Sequence, residues 1–340
     1  MKSTIANNSD FLFLFEAIQC NPNGDPDEEN KPRMDKDTET NLVTDVRIKR
    51  YIRDFLKQDG TEIFVDMEGD KKVSPDTRLV EVIKRMYADP AAVRLIYKDN
   101  AALIALFDEL VAKEKTPEAV IKKLQDEKDK KFYPLNNPLL TWLVTDKYAD
   151  IRMFGSAFAV KGFTKTFTGP IQLNWGYSLH KVQIMDSDAI VTIMADDSST
   201  FGKDYRVHYS LLAFHGSINK YAAISTGMTG DDLTLFRDAL WQAIPANPTR
   251  SKMNQYPKLY VEIIYNDGFT NGQFGDLRQY VKATPNKDAN GVDKPIRSLA
   301  DLNLDLSGLK GLIEADKREK TPRIKEVNIK TAIGFDFKIA

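Results

Sequence analysis

Two groups of residues in this sequence are of types that do chemistry. The first is an acidic loop, in which NPNGDPDEENKPRMDKD places Asp25, Asp27, Glu28, Glu29, Asp35 and Asp37 within a few turns of chain. Mg²⁺ in a nuclease is held by one or two carboxylates together with substrate phosphates, so converging acids of this kind could cut RNA. The spacing is not that of an EF-hand, because no Gly sits at the sixth position and Pro26 and Pro32 interrupt it. A solvated turn is the favoured reading, with metal-dependent cleavage through Asp25 and Asp27 or Asp35 as the rival. The second group is cationic. Arg47, Lys49, Arg50, Arg53 and Lys57 crowd a segment in which Asp45 and Asp54 are the opposing acids. Residues 152–181 then carry Arg152, Lys161, Lys165 and Lys181 with not one Asp or Glu. Phe154, Phe158, Phe163, Phe167, Trp175 and Tyr177 are interleaved with them. Cations that take phosphates and aromatic faces that stack bases suit a single-stranded polyanion. The competing reading puts most of those aromatics in the core, Phe158 and Leu173 among them.

Other chemistry finds no support. His180, His208 and His215 with the single Cys20 cannot build a His/Cys zinc site of the usual spacing. A hydrogen-bonded structural role suits His180 and His208 better. No Ser/His/Asp or Cys/His arrangement has catalytic spacing, and neither G-x-x-x-x-G-K-[ST] nor G-x-G-x-x-G occurs. No metal or cofactor is expected.

The elements that must position these groups can be read from periodicity. FLFLFEAIQC (11–20) is β-rich and runs into the acidic turn. TNLVTDVRIKRYIRDFLKQDG predicts a helix capped by Thr44 and stopped at Gly60, with Ile48, Ile52, Phe55 and Leu56 on its apolar face. Residues from about 74 to 132 read as helical, with start signals at Pro75, Asp89-Pro90 and Thr116-Pro117, and PLNNPLL reads as a break. Strand material is expected over about 152–178 and 207–219, a helix over 230–244 and a strand over 258–266. Alternation at Val327, Ile329, Thr331, Ile333, Phe335, Phe337 and Ile339 predicts a closing strand. The order is βαββαβ, an α+β chain with a ferredoxin-like or RRM-like palm and long insertions. HYSLLAFHGSIN lacks the aromatic RNA-binding strand signature of ordinary RRM proteins, so base stacking across the sheet is not expected.

Composition sets the outer bounds. The chain has 340 residues, 42% of them apolar and 29% charged, which fits two globular domains or one with a large insertion. With 48 Lys and Arg against 49 Asp and Glu the net charge is −1, so any polyanion-binding surface must come from cations gathered on one face. There is no apolar run of the ~18 residues that cross a bilayer, and no signal peptide is expected. One cysteine fits a reducing compartment, so a cytoplasmic protein is expected.

NPNGDPDEENKPRMD with LVTDVRIKRYIRDFL, and then DIRMFGSAFAVKGFTKTFTGPIQLNWGYSLHKV, resembles the repeated backbone subunit of type I CRISPR Cascade complexes. The likeness is specific over about 11–57 and 151–219 and weak over 60–150 and beyond 270. GPIQLNWGYSL and the helical insertion resemble the type I-B branch most, with type I-C next. The resemblance implies a palm (1–59 and 150–340), helical fingers (60–149) and a thumb hairpin near 186–206. It implies several copies lined up on one CRISPR guide RNA beside other Cascade subunits, with target DNA reached through the guide and no membrane contact. Lys49, Arg50, Arg53, Arg152, Gly155 and Ser156 would meet guide phosphates, and Asn21, Asn23 and Arg33 would line the neighbouring loop. Arg47, Lys161, Lys165 and Lys181 complete the expected surface, while Phe201, Lys203 and Arg206 would reach the next subunit's RNA. A loop aspartate cuts RNA in some relatives. Type I backbones resemble scaffolds without that activity, so it is not carried over to Asp25.

Overall fold

A five-residue apolar run such as Phe11–Phe15 cannot sit in a strand with one wet face, because successive side chains point to opposite sides. The computed structural model describes residues 3–66, 75–192 and 200–338, the side chains of 75–76, 186–192 and 200–202 excepted. In it Phe11 to Phe15 are all fully buried within the strand Ser9–Cys20, which forms the middle of a nine-stranded sheet. On one side it pairs antiparallel with Gln255–Tyr265, which pairs in turn with Ile324–Thr331. On the other it pairs with the long strand Thr200–Ile218, in register Phe13 to Phe214. That long strand also carries Ile171–Leu173, Gly176–Ser178 and Ile184–Thr192, all antiparallel. Thr40–Val43 and Met34–Asp35 extend the sheet beyond Gly176–Ser178.

Leu12, Leu14, Val261 and Ile263 pack on one face with Leu309 and Ile313 of the helix Ser307–Asp316. Phe11 meets Phe236 edge-on at 5.7 Å, and Phe15 stacks on Phe214 at 5.9 Å. Aromatic pairs of this geometry add about 0.5–1.5 kcal/mol each beyond burial alone.

The chain divides into two compact units. The sheet belongs to the unit made of 6–55, 171–219 and 236–340. The other unit, of 1–5, 56–170 and 220–235, is mainly helical and closes on Leu79, Ile83, Phe107, Leu110, Leu124, Leu139, Phe158 and Phe163. Its helices Pro90–Arg94 and Pro117–Leu124 begin at the expected signals, with Asp89 accepting from the Ala92 amide at 3.2 Å and Thr116 from Ala119 at 3.3 Å. The fold is α+β with antiparallel sheets.

Three expectations need correction. PLNNPLL is not a break: Asn136–Trp142 is a helix, because Pro138 falls in its first turn, where no amide is needed for the helical ladder. Residues 152–168 are not strands of the main sheet. Arg152 lies on the helix Ala149–Phe154, and Gly155–Val160 with Phe163–Thr168 forms a separate two-stranded sheet. The C-terminal alternation overruns its strand, which stops at Thr331. Ile339 lies outside the described residues. Among the described residues no helix is long and apolar enough to cross a membrane.

Candidate nucleic-acid interface

In the sheet-bearing unit the basic helix is fixed from its first turn. Thr44 caps the helix Asp45–Gln58, its Oγ1 accepting from the Arg47 amide at 3.2 Å. Asn23 holds that cap, since its Oδ1 accepts from Thr44 N at 2.9 Å and from Thr44 Oγ1 at 3.0 Å. Ile48, Tyr51 and Ile52 are buried, and this seals the apolar face. On the polar face the two acids are spent on two cations. Lys49 donates to Asp45 at 2.9 Å and Arg50 to Asp54 at 2.8 Å. Such i,i+4 pairs contribute only about 0.3–0.5 kcal/mol each, so either acid yields readily to a phosphate. Arg53 is half-buried on the same helix. Arg47 lies over the Tyr51 ring at 4.0 Å, and its Nε has no hydrogen-bond partner.

The acidic loop is a braced structure. Asn21 is buried and donates to the Asn30 carbonyl at 2.7 Å. Glu29 and Asn30 both adopt left-handed backbone, φ 52° and 60°. This turn carries the Glu29 carboxylate to Lys203 at 2.9 Å and to the Tyr205 hydroxyl at 3.2 Å, contacts that hold it below the usual carboxylate range. Asp25 accepts from the Asp27 amide at 3.2 Å and from Arg33 at 3.1 Å, so its carboxylate is already engaged. Among the described residues no group of three or more His, Cys, Asp or Glu is arranged to hold a metal.

The remaining predicted residues of this unit are also paired. Lys181 bonds Glu39 at 2.5 Å. Arg206 donates to Asp204 at 2.8 Å and to the Gln19 carbonyl at 3.0 Å. Phe201 lies in the strand Thr200–Ile218, its side chain outside the described ones, and 193–199 of the expected thumb lie outside the described residues. His180 is buried, stacked on Tyr209 at 5.7 Å, and accepts from the Leu211 amide at 3.1 Å. Burial pushes its pKa down, which keeps a neutral structural ring.

In the helical unit Arg152 makes two bonds to Asp232, at 3.0 and 2.8 Å, with side-chain exposures of 16% and 7%. Asp232 and Thr229 form a capping box at the start of the helix Gly230–Ala246, the Asp232 carboxylate accepting from Thr229 N at 2.9 Å and Thr229 Oγ1 from Asp232 N at 3.3 Å. A phosphate reaching Arg152 would have to displace a carboxylate that also holds this cap. Gly155 sits at φ 74°, and a Cβ there would lie 2.2 Å from the Phe167 carbonyl oxygen, so local packing explains the glycine. Ser156 pairs with Phe167, Lys161 bonds Glu127 at 3.3 Å, and Lys165 donates to Thr141 at 2.9 Å. Phe154, Phe158, Phe163 and Phe167 are core residues here, whereas in the sheet-bearing unit Trp175 and Tyr177 are exposed.

Sequence reasoning missed Lys252. Its Nζ donates to the Asn21 carbonyl at 2.5 Å, and Gln255 Nε2 holds the Lys252 carbonyl at 2.7 Å while reaching the Tyr51 hydroxyl at 3.2 Å. Burial and the Arg47 charge pull Lys252 down to about 8, and burial pushes the neighbouring Cys20 thiol up to about 12. The signal was present, since PTRSKMNQ (248–255) carries two cations and no acid.

The family model for CRISPR-associated protein Cas7 matches residues 7–307. A CRISPR-associated protein Cas7 from Haloferax volcanii is 27% identical, over 97% of this chain and 90% of that protein. Among solved structures, a chain of a CRISPR RNA-guided surveillance complex is similar at 12% identity and TM-score 0.47, covering 96% of this chain and 92% of that one. A chain of a pre-nicking CRISPR RNA-guided surveillance complex is similar at 14% identity and TM-score 0.46, over 78% and 80%. With most of its length matched by one family model, a braced loop and a basic helix included, the chain belongs to the Cas7 family of CRISPR-associated proteins.

Proposed function

We propose that this chain is a non-catalytic backbone subunit of a CRISPR surveillance complex that binds guide RNA through its sugar-phosphate rail. The observation that carries the reading is the first helix. Its buried face leaves Arg47, Lys49, Arg50 and Arg53 along one segment, and the Asn23 cap ties the Asn21–Arg33 loop to the same corner of the sheet-bearing unit. Phosphates neutralised by such cations give affinity without base readout, so sequence recognition is left to pairing between guide and target DNA. Several copies would assemble along one guide with other Cascade subunits, in the cytoplasm. The type I-B branch belongs to this reading on the strength of GPIQLNWGYSL and the helical segment.

The palm, expected over 1–59 and 150–340, is read as ferredoxin-like, with its sheet carried by 6–55, 171–219 and 236–340 while 150–170 and 220–235 pack with the helical unit. Supporting this is the neighbour order Gln255–Tyr265, Ser9–Cys20, Thr200–Ile218 and then the strands of 171–178, with helices Asp45–Gln58 and Gly230–Ala246 between them in sequence. Residues 60–149 are the fingers, and the hairpin of Ile184–Thr192 with the start of Thr200–Ile218 is the thumb. Absence of catalysis is supported by the Asp25 carboxylate, which is tied to Arg33 and to its own turn.

The purified chain should bind single-stranded RNA irrespective of sequence, and replacing Lys49, Arg50 and Arg53 together by Ala should weaken that binding with the fold intact. Unchanged binding in the triple variant would remove the helix from the interface. Incubation of complementary RNA with Mg²⁺ or Mn²⁺ should leave it whole, whereas regular cleavage abolished by Asp25→Ala would establish a ribonuclease.

A further inference from the structure

In the sheet-bearing unit Arg33, Lys49, Arg50, Lys181, Lys203 and Arg206 each stand against a carboxylate, and two half-buried cations do not. Among the described residues Arg47 rests on the Tyr51 ring and Lys252 on the Asn21 carbonyl, and neither meets an acid. Placing two like charges together away from water disfavours the charged form, and an anion seated against both would relieve that cost. The placement here is enforced. The loop bearing Lys252 is pinned by Asn21 N to the Ser251 carbonyl at 2.8 Å, by Ile18 N to the Asn254 carbonyl at 2.9 Å, and by Gln255 to both Lys252 and Tyr51. Asn254 takes a left-handed φ of 64°, which returns the chain into the strand Gln255–Tyr265. Tyr256 and Met253 beside it are exposed.

We infer that Arg47 and Lys252 together grip one phosphodiester of a single-stranded RNA, making the loop 249–254 a second wall of the interface. The inference rests on the RNA-binding reading above and adds to it a second cation, Lys252, which lies outside both the family motif blocks and the first helix. The groups that bear on the Lys252 ammonium are Arg47, which repels it, and the Cys20 thiol, which stays protonated. A phosphate oxygen seated between the two cations would offset that repulsion and bring the Lys252 pKa back up towards the ordinary lysine range.

The test uses the whole chain and a fluorescent single-stranded RNA, with Lys252→Gln and Lys252→Arg beside the wild type. Lys252→Gln should weaken binding by about tenfold, as expected for one charge-assisted contact. It should also make the slope of log K against log salt shallower by about 0.7. Lys252→Arg should restore most of both. A Lys252→Gln protein that is folded and matches the wild type in affinity and slope overturns the inference and leaves the general reading standing. The wild type gives a readout that needs no variant, the titration midpoint of the Lys252 amine followed by NMR. RNA should raise it from near 8 towards the free lysine value; an unchanged midpoint in an RNA-bound sample refutes the grip. Wild type that binds no RNA at low salt refutes the RNA-binding reading itself. If inorganic phosphate alone then raised the midpoint, the corner would be a site for a free oxyanion, and the RNA assignment would be wrong.

Discussion

The outer face of the first helix and the corner where it meets the loop 249–254 are built from the same residue types and arranged in opposite ways. On the helix face Lys49 and Arg50 each have an acid one turn away, at 2.9 and 2.8 Å. At the corner Arg47 has an aromatic ring and Lys252 a backbone carbonyl. The face is self-neutralised and holds a potential in reserve, whereas the corner is uncompensated. A near-neutral chain can in this way bind a polyanion at chosen places without attracting one everywhere.

The largest effect expected from disturbing this scheme lies at its most tightly paired cation. Asp232→Ala strands Arg152 and removes the carboxylate half of the capping box, and should destabilise folding by about 3–5 kcal/mol, read by chemical denaturation. A small effect there would mean that Arg152 is available to other ligands. Next comes the corner. Arg47→Gln should lower RNA affinity by about tenfold in a binding titration, from the loss of one charge-assisted contact. Its melting temperature should move by only a few degrees, as expected for a change of about 1 kcal/mol or less.

On the paired face the sign reverses. Asp54→Asn frees Arg50 from its partner and should tighten RNA binding by a few-fold, in keeping with a weak i,i+4 pair worth about 0.5 kcal/mol. Weaker binding in that variant would place the acid itself in the interface.

The last effect is a pH dependence. Without RNA the folded chain releases the Lys252 proton near 8, while the unfolded chain keeps it to about 10.5. Between those values the unfolded state binds more protons, so wild-type stability should rise relative to Lys252→Met as pH goes from 7 to 10. The raised Cys20 thiol works in the opposite direction in both proteins, and the difference between them isolates the lysine.

The sequence exposed much of this and hid the rest for identifiable reasons. Phe11–Phe15, the Thr44 cap and the Ile48–Ile52 face were legible because their determinants are local. Pro138 misled because a proline in a first turn and a proline in a break look alike without the hydrogen-bond ladder. The 152–168 segment misled because its aromatics serve a core that includes residues from 64 to 151. The absence of acids from that segment says nothing about Asp232 and Glu127, which pair with Arg152 and Lys161 from elsewhere in the chain. Charge counts along a sequence miss compensation of this kind. Lys252 was overlooked for the converse reason: a single lysine in a loop becomes notable only when folding brings it to Asn21 and within the influence of Arg47.

The most direct test of the account is the salt dependence of single-stranded RNA binding by the purified wild-type chain. Binding should be indifferent to base sequence, with log K falling linearly against log salt at a slope of about −3, as expected for roughly four neutralised phosphates. A slope near zero, or affinity that tracks base sequence, would contradict a protein that holds its RNA by the phosphate rail.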